Sequence, residues 1–251
     1  MAIAVGFALI AWRLGTLSRG GAVAAGLVGT AVLGGTGWAG GALLAVFFVT
    51  GTAVGRLFPS PDTGLDFEHA QRDWWQVWAN GGAAAAGGLI GIARPELGLW
   101  VVAASLAAAN ADTWATEIGK ALGGGPRDLL SRAEVPPGTS GGVTWIGTLA
   151  GGAGAATIAA AAGLVNGSPL LGSAATVLGF GGMLADSALG SRWQVRRACP
   201  ECGAACESSR HCGTDTEYCG GVAWINNDTV NALATGLAAL GGGLAWWLVR
   251  S

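Results

Sequence analysis

Long apolar blocks separated by short polar stretches dominate this chain. A helix that crosses a bilayer needs about 20 mostly apolar residues. By that measure eight segments are predicted: 2–12, 20–35, 37–56, 74–93, 97–119, 140–163, 169–190 and 222–249. The first is short and reads as a partial span. The predicted fold is all-α: a polytopic integral membrane protein of about 7–8 transmembrane helices. It forms a single transmembrane domain over residues 1–251, with a cysteine-rich cytoplasmic loop at 191–221 inside it.

Composition strengthens this picture. Hydrophobic residues make up 51% of the 251 positions and charged residues only 11%, where soluble domains carry about 25% charged. The 46 glycines, set among many alanines, read as helices packed closely through small side chains. Twelve tryptophans against one tyrosine fit interfacial anchoring. The first apolar run is followed by Arg13 and Arg19 without a convincing cleavage site, so it is expected to be kept as a membrane segment.

Charge sets the orientation. Arg13, Arg19, Arg56, Arg72, Lys120, Arg127, Arg132, Arg192, Arg196, Arg197 and Arg210 all fall in the odd-numbered loops. The even loops hold only Arg94, and Arg250 follows the last helix. The positive-inside rule puts the odd loops in the cytoplasm and both termini outside, in what is expected to be the cell inner membrane; if segment 2–12 does not span, the N-terminus moves inside and the later loops keep their sides. A net charge of −2 argues against a nucleic-acid partner, which would need a basic field.

Polar residues converge on that cytoplasmic side. At about 100° per residue, Asn110, Asp112, Thr113, Thr116, Glu117 and Lys120 share one arc of a helix end. Asn227, Asp228, Asn231 and Thr235 share an arc at the start of the last helix. Asp186 and Ser187 end segment 169–190, and Gln76 and Asn80 begin segment 74–93. A carboxylate at mid-membrane costs about 2.5–3.5 kcal/mol on insertion scales, so it needs a partner or a wet cavity. The plainer alternative, helix ends resting in the headgroup layer, loses ground because four clusters converge. Before segment 140–163, Val135-Pro136-Pro137-Gly138-Thr139-Ser140-Gly141-Gly142-Val143-Thr144 offers backbone N–H groups and a positive dipole end. That makes an anion site, although a Pro-Gly turn with a capping hydroxyl is also an ordinary helix start. With Lys120, Arg127 and Arg132 nearby, it reads as a phosphate site with Mg²⁺ among the carboxylates.

An internal repeat supports one shared cavity. Ala111-Asp112-Thr113 followed by Gly141-Gly142-Val143-Thr144-Trp145-Ile146 is echoed by Ala185-Asp186-Ser187 followed by Gly220-Gly221-Val222-Ala223-Trp224-Ile225. Each copy is an inward helix, a loop and an outward helix, so Asp112 and Asp186 are predicted to be equivalent. All five cysteines, Cys199, Cys202, Cys206, Cys212 and Cys219, lie in the 191–221 loop with His211. A cytoplasmic CxxC followed by further cysteines points to structural Zn²⁺ on Cys199, Cys202, Cys212 and Cys219, with reduced cysteines in a flexible loop as the alternative.

The motifs QVWANGG, NADTWATEIG, VPPGTSGGVTWIGTLAG, DSALGSRWQ and GGVAWINNDTVNALAT resemble one family. It is the domain-of-unknown-function family of transmembrane protein nineteen and the plant phytyl-phosphate kinase of vitamin E metabolism. The resemblance runs from about Gln71 to the C-terminus and is loose before it. It implies a membrane kinase that transfers the terminal phosphate of a nucleotide, CTP by expectation, to an isoprenyl monophosphate such as phytyl or geranylgeranyl phosphate. The expected catalytic groups are Asp112, Glu117, Lys120, Asp186 and Asp228, with all four acids on Mg²⁺. The expected nucleotide and phosphate contacts are Asn80, Asn110, Thr113, Arg127, Arg132, the 138–142 turn (Gly138, Thr139, Ser140, Gly141, Gly142), Thr144, Asn227 and Asn231. Ser140 stands where the family is expected to carry Asn; both accept a hydrogen bond. The partners implied are a nucleoside triphosphate, an isoprenyl phosphate lipid and the membrane, and a homo-oligomer is compatible with the sequence. Two rivals remain: a CTP-dependent cytidylyltransferase acting on a lipid phosphate, and a transporter of an anionic substrate, whose site belongs nearer the midplane.

Overall fold

The computed structural model describes residues 1–59 and 71–251. Among them run seven helices: α1 (Ala2–Arg13), α2 (Arg19–Leu57), α3 (Trp74–Ala93), α4 (Pro95–Leu122), α5 (Trp145–Asn166), α6 (Pro169–Trp193) and α7 (Asn227–Arg250). Short antiparallel ladders occupy two loops. Between α4 and α5, β1 (Arg127–Asp128) pairs with β2 (Gly142–Val143). Between α6 and α7, β3 (Arg196–Ala198) lies between β4 (Ala205–Cys206) and β7 (Glu217–Gly220). There too, β5 (Arg210–His211) pairs with β6 (Thr214–Asp215).

Four helices, α2, α5, α6 and α7, are long and apolar enough to cross a membrane by length and composition. Gln76 and Asn80 lower the hydropathy of α3, and Asn110, Asp112, Glu117 and Lys120 lower that of α4, though both belong to the same bundle. At 12 residues and 1.5 Å per residue, α1 reaches only part of the way across a hydrocarbon core of about 30 Å.

The predicted segments 20–35 and 37–56 form one assigned helix, α2, broken at Gly37 with φ 60 and ψ −150. That backbone region is essentially reserved for glycine. The chain reverses there. Ser18, which caps the start of α2, donates its N–H to Arg72 O at 3.0 Å, and Arg56 near the other end reaches Leu14 O. Both ends of α2 therefore meet at one end of the bundle.

α4 is the axis. Every residue from Gly98 to Ala111 is buried, because α2, α3, α5, α6 and α7 surround it. A helix enclosed on all sides keeps no amphipathic stripe, which is why small alanines fill it. Close approach is required at Gly35 and Gly88: a methyl on Gly35 would strike the Gly88 carbonyl oxygen. Outer positions point the other way. Leu149, Leu164, Val177, Leu237, Leu240 and Leu244 are exposed, a surface suited to lipid tails and unsuited to water. Exposed tryptophans mark both ends, with Trp75, Trp145 and Trp224 at one and Trp38 and Trp247 at the other.

All the basic loops emerge at the first of these ends. The opposite end has the Gly37 bend, Arg94 alone between α3 and α4, and Gly167-Ser168 between α5 and α6. There Arg250 pairs with Glu96. Two helix starts differ from expectation. The segment predicted from 140 begins at Trp145, because the glycine turn runs on to Thr144, whose hydroxyl accepts from Gly147 N at 3.0 Å. The segment predicted from 222 begins at Asn227, because Asn226 is the cap and Gly221, at φ 84, still belongs to the turn.

Candidate active site at the loop end

The last turns of α4 and the first turn of α5 touch through glycine: a methyl on Gly119 would lie 3.2 Å from Gly147 Cα. The chain between them folds over the helix ends. Thr139 N donates to Pro136 O at 3.2 Å and Gly142 N to Thr139 O at 2.9 Å. Gly138 and Gly141 take φ values of 86 and 79. Gly141 lies so close to α6 that a side chain there would strike Ser191. Asp128 fixes the same loop from below. Burial opposes its charge, but hydrogen bonds from Ser191, from Ser131 and from the Leu130 backbone outweigh it and hold its carboxyl below the usual range.

This turn, α4 and α6 enclose a cavity of about 130 Å³. It is lined by ten of the predicted residues: Asp112, Lys120, Gly138, Thr139, Ser140, Gly141, Gly142, Thr144, Asp186 and Asn227. Thr116, Thr148, Ser187 and Gln194 complete its polar wall. The repeat thus brings Asp112 and Asp186 to one cavity from two helix hairpins, α4–α5 and α6–α7. Asp186 Oδ2 is enclosed and, among the described residues, has no hydrogen-bond partner. An enclosed carboxylate oxygen beside a second carboxylate is costly unless a cation or donor completes it.

Other predicted residues lie elsewhere. Asn110 is fully buried and works as a tie: its Nδ2 donates to Gly154 O at 2.8 Å, and its Oδ1 accepts from Thr50 at 3.1 Å. Asn231 is buried and donates to Asn227 O within its own helix. Thr113 bonds back to Ala109 O, and Glu117 faces α2, near Gly55. Arg127 is exposed in an ion pair with Glu134, and Arg132 is exposed at the tip of that turn with φ 64. Asp228 has Asp73 and Glu207 as its charged neighbours.

Asn80 lines a second cavity, of about 260 Å³, among α1, α2 and α3. Its wall is almost wholly apolar, with Phe7, Ala25, Leu33, Ala45 and Phe48, and its polar residues are Arg72, Gln76 and Asn80. The Arg72 guanidinium lies over the Phe47 ring at 5.5 Å. The apolar pattern of the first 57 residues gave no mark of this space, since small residues that line a cavity look like small residues that pack.

In the cysteine loop, the ligand atoms of Cys199, Cys202, His211 and Cys212 all lie within 4.8 Å of one another. His211 takes the place predicted for Cys219, which stays outside the group in β7, its thiol donating to Glu217 O. A backbone hydrogen bond from Cys202 is the main force pulling the Cys199 thiol down to about 6, and a side-chain bond with Cys202 pushes Cys212 up to about 11. The loop also carries a residue that sequence reading missed. Glu207 accepts from Ser140 Oγ at 3.2 Å, from Gln194 Nε2, and from the Asn227 backbone N at 3.1 Å. Nothing local in the sequence marks a contact made across 67 residues.

A family model described as "Integral membrane protein DUF92" matches residues 2–239. Among curated proteins, an uncharacterized membrane protein of Methanocaldococcus jannaschii is 31% identical over 152 residues. That stretch is 61% of this chain and 64% of the relative, so the chain spans just under two thirds of that protein's length. No solved structure matches.

Proposed function

The chain belongs to the DUF92 family of integral membrane proteins, and from that premise we propose that it is a membrane kinase moving a terminal phosphate from a nucleotide to an isoprenyl monophosphate. The observation that carries this reading is the grouping of Asp112, Asp186 and Lys120 around the 138–142 turn in one cavity. Carboxylates, an ammonium and glycine N–H groups are what phosphoryl transfer requires, because the work is positioning and charge neutralisation. The apolar cavity among α1, α2 and α3, with Arg72, Gln76 and Asn80 as its polar residues, supports a substrate with a long hydrocarbon tail and an anionic head.

In the proposed reaction an oxygen of the lipid phosphate attacks the γ-phosphorus of the donor, expected to be CTP. The bond to the β–γ bridging oxygen breaks and CDP leaves. The attacking oxygen is already largely ionised near pH 7, since a phosphate monoester's second pKa is about 6. No strong general base is needed. The 138–142 turn would cradle the donor phosphates, Lys120 would offset developing charge, and Asn227 would orient the nucleotide. Asp112 and the incompletely bonded Asp186 fit Mg²⁺; when bound it supplies Lewis-acid neutralisation of phosphate charge. The loop end would face the cytoplasm, where nucleotide is available, with the protein in the inner membrane.

The test is incubation of purified protein with labelled CTP and a panel of isoprenyl phosphates. Release of CDP and formation of a prenyl diphosphate is expected. Pyrophosphate release would establish nucleotidyl transfer instead, and no turnover with any acceptor would overturn both.

A further inference from the structure

Two tight turns face each other in the loop between α6 and α7. One joins β3 to β4 through Cys199-Pro200-Glu201-Cys202-Gly203, closed by Gly203 N donating to Cys199 O at 2.8 Å, with Gly203 at φ 70. The other joins β5 to β6 through His211-Cys212-Gly213, with Cys212 at φ 51 and Gly213 at φ 80. A side-chain-bearing residue at φ 51 is strained, so something must hold that turn. His211 Nδ1 lies 3.4 Å from Cys202 Sγ and 3.2 Å from Cys212 Sγ, and Cys199 Sγ completes the group within 4.8 Å. In a tetrahedron with Zn–S of about 2.3 Å, ligand atoms stand about 3.8 Å apart. Three soft sulfurs and one imidazole, gathered in this way, match zinc in number, type and spacing.

The loop also has little apolar burial to hold it. Its strands are two to four residues long, and its one aromatic side chain between 196 and 220, Tyr218, is exposed. A segment with so little apolar burial needs a staple. Glu207 follows β4 directly, between the two turns, and its carboxylate reaches Ser140, Gln194 and the first backbone N–H of α7.

We propose that Cys199, Cys202, His211 and Cys212 hold one Zn²⁺ ion, which locks the two turns together and so seats Glu207 on the glycine turn and the start of α7. The ion is structural, with all four positions filled by protein. The assignment of zinc stands apart from the phosphoryl-transfer reading, and its test needs no substrate.

Full-length protein, purified in detergent under reductant, is measured by elemental analysis: one zinc per chain is expected. Cys202→Ser and His211→Ala lose it, while Cys219→Ser keeps it. Folded wild-type protein without zinc, or with iron in its place, overturns the assignment; loss from Cys219→Ser equal to that from Cys202→Ser overturns the ligand set. Amide hydrogen exchange tests the second half. Stripping zinc from wild type should speed exchange at 138–144 and 226–229. Glu207→Ala, still holding its zinc, should do the same, and unchanged exchange after stripping overturns the link to Glu207.

Discussion

An enclosed carboxylate oxygen without a partner among the described residues, as at Asp186, is destabilising in the resting protein, and a sequence retains such a group where a ligand completes it. Stability and turnover should therefore move in opposite directions on substitution. Asp186→Asn is expected to leave the thermal midpoint in detergent unchanged or raised while reducing CDP release roughly 100-fold or more. Asp112→Asn should show the same loss of turnover; near wild-type rates in either folded variant would remove both from the site. The basic residues separate in the same manner. Lys120 lines the cavity, so Lys120→Met should slow turnover by roughly tenfold or more. Arg127 is spent on an exposed pair with Glu134, so Arg127→Ala should change the rate by no more than about twofold and stability by less than about 1 kcal/mol. Asp112, Lys120, Asp186 and the glycine turn were legible in the sequence because polar groups inside apolar helices have few inexpensive explanations. Asn110 lies apart from that cavity: an amide that ties Gly154 to Thr50 looks, in sequence, like one waiting for a ligand. Glu207 was invisible, since its partners are set by tertiary folding alone.

Among the elements, apolar run length located α3 at Trp74–Ala93 to the residue, because Asp73 and Gln76 form a capping box and Arg94 closes the other end. It misjudged the starts of α5 and α7 by five residues each, because Val143, Trp224 and Ile225 are apolar yet lie in turns. The break between segments 20–35 and 37–56 was legible as well, one residue from the bend at Gly37. No residue with a Cβ takes that conformation without strain, although space around it is open. Gly37→Ala should therefore cost roughly 1–3 kcal/mol in unfolding measured in detergent, with the Michaelis constant for nucleotide unchanged because the bend lies at the opposite end from the cavity. A loss of nucleotide binding instead would show that the bend is coupled to the site.

The whole molecule has two unlike halves: α4 to α7 carry the polar cavity, while α1 to α3 carry the apolar one with Arg72, Gln76 and Asn80. If tail and headgroup are recognised in separate halves, narrowing the apolar space should affect one substrate alone. Ala45→Trp is expected to raise the Michaelis constant for a prenyl phosphate about tenfold, an amount equal to about 1.4 kcal/mol of binding, and to leave that for CTP as it was. Equal effects on both would assign the tail elsewhere. The connections at the far end have a consequence of a different kind, for how the protein is made. They consist of one bend, one residue and two residues, with Arg94 the sole charge among them. Beyond Arg94 and the Glu96–Arg250 pair, little that is charged has to be carried through the hydrocarbon at this end during synthesis. If the loop end faces the cytoplasm, as proposed, helices joined by these connections would enter pairwise as closed hairpins, and the cysteine-bearing loop between α6 and α7 would fold without crossing the bilayer.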